Sequence, residues 1–248
     1  MNKPVLLIRG TGNESDATAL TELGIASLID PYLEIAVSVD KTDAMDMYNF
    51  LRDAEGSLWL IATSTNAIKY WTQIVGVDEI TAALSVKKDL RYAAIGEATS
   101  AALIALGARQ VLTPQSANSD SLITALVEYP PSTAIIPGGN LAMAQLPSAL
   151  RSSGWILKTG IVYTTSPINR EPTSVARLRD GEIAAVLIRS PSAARALLAR
   201  VPHPNVPIVC AGQTTARAVE ALGIRVDAVA EDPTPEAVAA TIVSVLTK

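Results

Sequence analysis

The chain has one cysteine, one histidine and one phenylalanine among 248 residues. A single thiol, Cys210, excludes an internal disulfide and fits a reducing compartment, so the cytoplasm is the expected location. A zinc site built from cysteines and histidines needs more such ligands than the chain has. His203 stands between prolines in "VPHPNVP", a setting for an exposed turn rather than for a Ser-His-Asp triad. Aromatic residues make up only 4%, so the core must come from Ala, Val, Leu and Ile. No apolar run reaches the roughly 18 residues of a spanning helix, and no membrane association is expected. The N-terminal "MNKPVLLIRG" has too short an apolar stretch for a signal peptide and reads as a first strand. Nor is there an excess of positive charge. The net charge of −4 gives no general attraction to nucleic acid or to an anionic membrane, so an anionic ligand must be held locally.

What the chain does have is alternation. Apolar runs at Val5–Ile8, Trp59–Ala62, Tyr92–Ile95, Ala134–Ile136, Ala185–Ile188 and Ile208–Ala211 read as buried strands. Each is followed by a turn of Gly, Ser, Thr, Pro or Asn and then by apolar spacing of three and four. That pattern predicts an α/β protein of parallel sheets flanked by helices.

The alternation also repeats. "YAAIGEATSAALIALGARQVLTP" (92–114) is echoed by "IVCAGQTTARAVEALGIRVDAVA" (208–230), each running from strand to Gly-x-x-Thr to a helix ending at Leu-Gly. "LIATSTNAIKYW" (60–71) and "LIRSPSAARALL" (187–198) are a second such pair. A shorter unit, strand–glycine turn–helix–Gly–strand, occurs at 5–37 and again at 134–163. The order is short, long, short, long, which permits two pairings. The chain splits near residue 130, or the middle block forms one domain and the two ends form the other. Extended segments at "LEIAVSV" (33–39) and "GIVYTT" (160–165) flank the middle block and suit the interleaved pairing as two crossing strands.

Several residues could carry chemistry. Ser64 and Ser190 stand at strand-to-helix turns, where capping is the ordinary role and anion binding by free N–H groups is the functional one. Thr63, Thr99, Thr214 and Thr215 lie in the same class of turn. Arg9 and Arg189 each follow an apolar strand directly, where a guanidinium can grip a carboxylate in two-pronged fashion. Tyr163 ends an apolar stretch at the presumed domain crossing. "RGTGNES" (9–15), with Asp30 after the second strand, is a weak dinucleotide fingerprint in which Ser15 replaces the third glycine. Cys210, inside an apolar strand, has no basic neighbour to activate it. These residues describe a cleft rich in hydroxyls, amides and a few arginines, suited to an anion.

The ordered series "VLLIRG", "IATSTNAI", "AIGEATSAALIALG", "TGIVY", "VLIRSPSA" and "AGQTTARAVEALG" resembles the uroporphyrinogen-III synthase family over nearly the whole chain. The resemblance implies two similar domains of parallel sheet flanked by helices, linked by a two-stranded β connection with a cleft between them. Residues 1–35 plus 166–248 would form the first domain and 36–165 the second, inserted one. It implies cyclisation of hydroxymethylbilane with loss of water and inversion of ring D, without metal or organic cofactor. By the same resemblance Tyr163 is the catalytic residue, and Arg9, Thr63, Ser64, Asn66, Thr99, Ser190, Thr214 and Thr215 bind substrate. Gly10 stands where many relatives carry proline, which puts the path of the first loop in question. A monomer is expected, with transient hand-over of substrate from the preceding deaminase. The competing class is a non-catalytic two-domain binding protein for a small anion.

Overall fold

A computed structural model describes residues 3–142 and 144–247. The first stretch of chain carries β1 (Val5–Leu7), α1 (Glu14–Glu22), β2 (Ser27–Ile29) and β3 (Leu33–Val37). There follow α2 (Thr42–Asp53), β4 (Leu58–Ala62), α3 (Thr65–Val75), α4 (Val77–Ser85), β5 (Leu90–Ala94) and α5 (Glu97–Ala105). Next are β6 (Val111–Leu112), α6 (Ser119–Val127), β7 (Thr133–Gly139), α7 (Gln145–Ser152) and β8 (Ile156–Pro167). The last stretch holds α8 (Ser174–Arg179), β9 (Ala185–Ile188), α9 (Pro191–Leu198), β10 (Ile208–Cys210), α10 (Gln213–Ala221), β11 (Ala228–Val229) and α11 (Pro235–Leu246).

Two units result: Met1–Ile35 with Ser166–Lys248, and Ala36–Thr165. The first is a five-stranded sheet in the order β11-β10-β9-β1-β2, parallel throughout. Its strands are buried on both faces, which is why they read as unbroken apolar runs. Alternate residues supply opposite layers. Leu6, Ile8, Val186, Ile188, Ile208 and Cys210 pack under α9 with Ala193, Ala194 and Leu197. Val5, Leu7, Ala185, Leu187 and Val209 pack against Leu20 of α1 and Val238, Ala239 and Ile242 of α11.

The inserted unit is a six-stranded sheet in the order β3-β8-β7-β4-β5-β6. Ser38 N–H donates to the Val162 carbonyl at 3.0 Å, tying the end of β3 to β8. Both β3 and β8 run across the boundary between the units, so each chain connection is itself a strand. One face of this sheet packs Trp59, Ile61, Ala134 and Ile136 against Leu122 and Leu126 of α6 and Leu146 and Leu150 of α7. On α3, the Trp71 indole N–H donates to the Ala44 carbonyl of α2 at 3.0 Å.

The sequence repeats become one spatial pattern. In the first unit the short repeat supplies β2-β1 and the long repeat β9-β10-β11; in the inserted unit they supply β8-β7 and β4-β5-β6. The strand order is therefore the same in both, but the chain runs short-then-long in one and long-then-short in the other. The helix stops coincide too: Gly107 and Gly223 end α5 and α10 with φ of 99° and 79°. One strand outgrows its sequence limits. β7 continues past Pro137 to Gly139, where a glycine turn was expected, and its register with β8 shifts between Gly138 and Gly139. A shift of this kind accommodates a proline inside a sheet and re-aims the side chains beyond it.

Candidate functional site

In a parallel sheet every strand ends on one side, and ligands collect outside those ends where the strand order reverses. In the inserted unit that point is β7/β4. Tyr163 lies there, in register with Gly139, and its carbonyl accepts from Asn140 N–H at 3.1 Å. A Cβ on Gly139 would stand 2.5 Å from the Tyr163 ring, so only glycine lets the ring lie down here. Tyr70 of α3 packs on the same ring, with centroids 5.7 Å apart and planes tilted by 31°. The Asn140 side chain fixes the strand beyond it, accepting from Thr165 N–H at 2.7 Å and donating to the Thr165 carbonyl at 3.3 Å. Tyr163 is thus held half-buried between a glycine and an aromatic ring, by neighbours the sequence did not single out.

The same edge carries the turn after β4. Ser64 caps α3, its hydroxyl accepting from Asn66 N–H at 3.1 Å, and Thr63, Ser64 and Asn66 are all half-buried. Beyond β5, α5 starts from Gly96 with no side-chain cap. Thr99 turns its side chain inward and is buried, which leaves the backbone amides of this turn, rather than the Thr99 hydroxyl, as the groups able to meet a ligand.

The first unit repeats the arrangement at β1/β9. Ser190 caps α9, accepting from Ala193 N–H at 3.2 Å, with Pro191 opening the helix. α10 starts from Gly212 without a side-chain cap; Thr214 is exposed and Thr215 is buried like Thr99. Arg9 follows β1 in a loop locked by Asn13, whose side chain accepts from Arg9 N–H at 3.2 Å and donates to the Arg9 carbonyl at 2.9 Å. Gly10 leaves only 3.0 Å between a would-be Cβ and the Leu33 carbonyl, so a larger residue would force this loop onto another path.

The two arginines part company. Arg189, whose guanidinium could grip a carboxylate, already holds one within the protein. Its Nε donates to Asp16 Oδ2 at 2.7 Å, its Nη2 to Asp16 Oδ1, and its Nη1 to the Pro233 carbonyl at 2.7 Å. Arg9 makes no ion pair among the described residues and donates weakly to the Gly12 carbonyl at 3.4 Å. Burial, then the charge of Arg189, pushes the Arg9 pKa below its ordinary value, against the opposing pull of Asp16 and Glu14. On this edge Arg9, unlike Arg189, is held by no carboxylate among the described residues.

The remaining candidates take bland places. Asp30 is buried and accepts from Ser174 N–H (2.8 Å), the Thr173 hydroxyl (3.1 Å) and Arg170 (3.2 Å), so it serves the start of α8 rather than a ribose. Glu14 and Asp16 in the first turn of α1 further oppose a pyrophosphate there. His203 is exposed. Cys210 is buried, and burial pushes its thiol up to about 12, the state of an inert structural cysteine. Among the described residues no three His, Cys, Asp or Glu side chains group as metal ligands, and no helix is long and apolar enough to cross a membrane.

A family model described as uroporphyrinogen-III synthase HemD matches residues 14–240. The chain belongs to the uroporphyrinogen-III synthase family. Solved members share its fold. The Thermus thermophilus uroporphyrinogen III synthase, in a mutant form, aligns with a TM-score of 0.64 at 17% identity, over 98% of this chain and 99% of that one. The Helicobacter pylori uroporphyrinogen-III synthetase aligns with a TM-score of 0.59, also at 17% identity and over the same shares. A search among curated proteins gave no significant match. Membership of the synthase family gives the chain a tetrapyrrole substrate and the synthase activity of tetrapyrrole biosynthesis; the binding-only alternative is not favoured.

Proposed function

We propose that the chain acts as a cyclising hydro-lyase on hydroxymethylbilane, with Tyr163 at the reacting carbon and the substrate's carboxylates held by turns at strand ends. The observation that supports it most is the seat of Tyr163, pinned at the β7/β4 ends between Gly139 and Tyr70. Substrate carboxylates would be met by Arg9, by the Ser64 and Ser190 turns with Thr63 and Asn66, and by the uncapped starts of α5 and α10 beside Thr99, Thr214 and Thr215. N–H groups at a helix start favour anions without giving the protein a large positive charge.

The chemistry asks little of strong acids or bases. The pyrrole nitrogen pushes hydroxide from the hydroxymethyl carbon and gives up its own N–H proton, so that water is lost overall, and a hydrogen bond from the Tyr163 hydroxyl helps the hydroxide depart. The electron-deficient carbon is then attacked by ring D through its substituted carbon, giving the spiro intermediate that leads to the type III isomer. Rate and regiochemistry follow from holding the chain in that fold, by orientation and preorganised amide dipoles. The reading carries with it a monomer in the reducing cytoplasm and transient hand-over from the deaminase that makes the substrate.

The test is product analysis. The purified protein, given hydroxymethylbilane freshly made by the deaminase, should yield mainly type III porphyrin after oxidation and chromatography. A product indistinguishable from the type I of spontaneous closure overturns the reading.

A further inference from the structure

At the end of the inserted sheet away from Tyr163, where β4, β5 and β6 begin, lies a cavity of about 670 Å³. Its walls combine aromatic faces with positive charge. Arg91 is exposed and lies over two rings at once, 5.7 Å from the Trp59 centroid and 5.5 Å from that of Tyr129. Lys88 and Arg109 line the same cavity, and among the described residues neither they nor Arg91 is in an ion pair. Lys87, by contrast, has its ammonium bound to the Arg52 and Ala54 carbonyls.

The internal repeat supplies a control. The matching place in the first unit, below β10 and β11, also holds a cavity, of about 510 Å³, with Arg225 two residues after the helix-ending Gly223, as Arg109 is after Gly107. There Asp227, immediately before β11, pairs with Arg225 at 3.3 Å and accepts from Ile208 N–H at 2.9 Å. In the inserted unit the residue immediately before β6 is Gln110. The same framework is neutralised in one unit and left cationic in the other.

We propose that the cavity of the inserted unit binds a small planar aromatic anion, the size of a nucleoside di- or triphosphate. Its ring would stack on Arg91 beside Tyr129, and Arg109 and Lys88 would hold its anionic groups. Guanidinium stacking and cation–π attraction suit the ring, and the volume falls within the roughly 300–1,000 Å³ range of small-molecule sites. Three cations with no acidic partner among the described residues call for a multiply charged ligand.

The experiment is calorimetric titration of the full chain with ATP, adenosine and inorganic tripolyphosphate. ATP should bind in the micromolar range, and each of the other two at least tenfold more weakly. Gln110→Asp, which installs the acid of the other unit, should weaken ATP at least tenfold, as should Arg91→Ala. Both variants should keep the wild-type circular dichroism and the type III product, because neither residue belongs to the machinery around Tyr163. No ATP binding below millimolar concentration, tripolyphosphate binding as tightly as ATP, or unchanged affinity in Gln110→Asp each overturns the proposal. None of these outcomes bears on the synthase reading, which is read from the porphyrin isomer.

Discussion

Asp16 grips Arg189 with both carboxylate oxygens, joining the first turn of α1 to the end of β9 across 173 positions of sequence. Asp16 is 2% exposed and the Arg189 side chain 11%, so the pair is nearly out of water. Removing one member of a buried pair leaves the other charge stranded, at a cost of about 3–5 kcal/mol. Asp16→Asn should lower the midpoint of urea unfolding accordingly. Adding Arg189→Met should return part of the loss, since the stranded charge is then gone. A double variant that loses as much as Asp16→Asn and Arg189→Met added together would show that the pair does not act as a unit.

Tyr163→Phe removes a hydroxyl and keeps the ring on Gly139. The rate of type III formation should fall by about 10²-fold, the lower end of what a positioned proton donor supplies. His203→Ala, on an exposed turn, should leave the rate within twofold. The reverse order, measured in the same assay, refutes the roles given to both residues.

Gly139→Ala probes the seat itself. The added carbon would stand 2.5 Å from the Tyr163 ring, so the ring must move. Overpacking of this kind costs about 1–3 kcal/mol. The expected result is a lower kcat with a smaller change in stability than Asp16→Asn. In the Tyr163→Phe background Gly139→Ala should lower kcat much less, because the hydroxyl it misplaces is already missing.

Asp30 sets an acid dependence. Burial pushes its carboxyl up, but the hydrogen bonds from Ser174, Arg170 and Thr173 outweigh burial and hold it below the ordinary carboxylate value. A depressed pKa in the folded state means the stabilisation is complete above the ordinary value near 3.8 and fades as pH falls through the folded one. Asp30→Asn should therefore be less stable than wild type at neutral pH. The gap should narrow as urea midpoints are taken from pH 6 down toward pH 3; a gap that widens in acid contradicts the assignment.

The strands were legible because parallel strands buried on both faces must be apolar at every position, as "LWLIA" and "AVLI" are. The helix caps at Ser64 and Ser190 were equally plain, since capping is a local matter between neighbours in sequence. The fate of Arg189 was hidden because its partner lies far off in the chain, and nothing in "LIRSPSA" points to Asp16. Thr99 and Thr215 looked like presented hydroxyls, yet the third position of each helix turns inward, a matter of helix phase against the sheet. Nothing in "LIATSTNAIKYW" marks Tyr70 as a partner of Tyr163. Only the register shift after Pro137, which seats Tyr163 on Gly139, brings the two rings together.

The interleaved order of the repeats also sets a timetable for synthesis. β1 and β2 are made before the inserted unit, but the neighbour that makes β1 a central strand, β9, begins only at residue 185. By then all of β4 to β8 has been made. Domains tend to fold as units while the chain is being made. The middle of this protein can therefore close into its own sheet while both ends of the first unit are still incomplete. β1 and β2 thus wait without their sheet until β9 arrives, and the free edge of β1 stays open to mispairing for all that time.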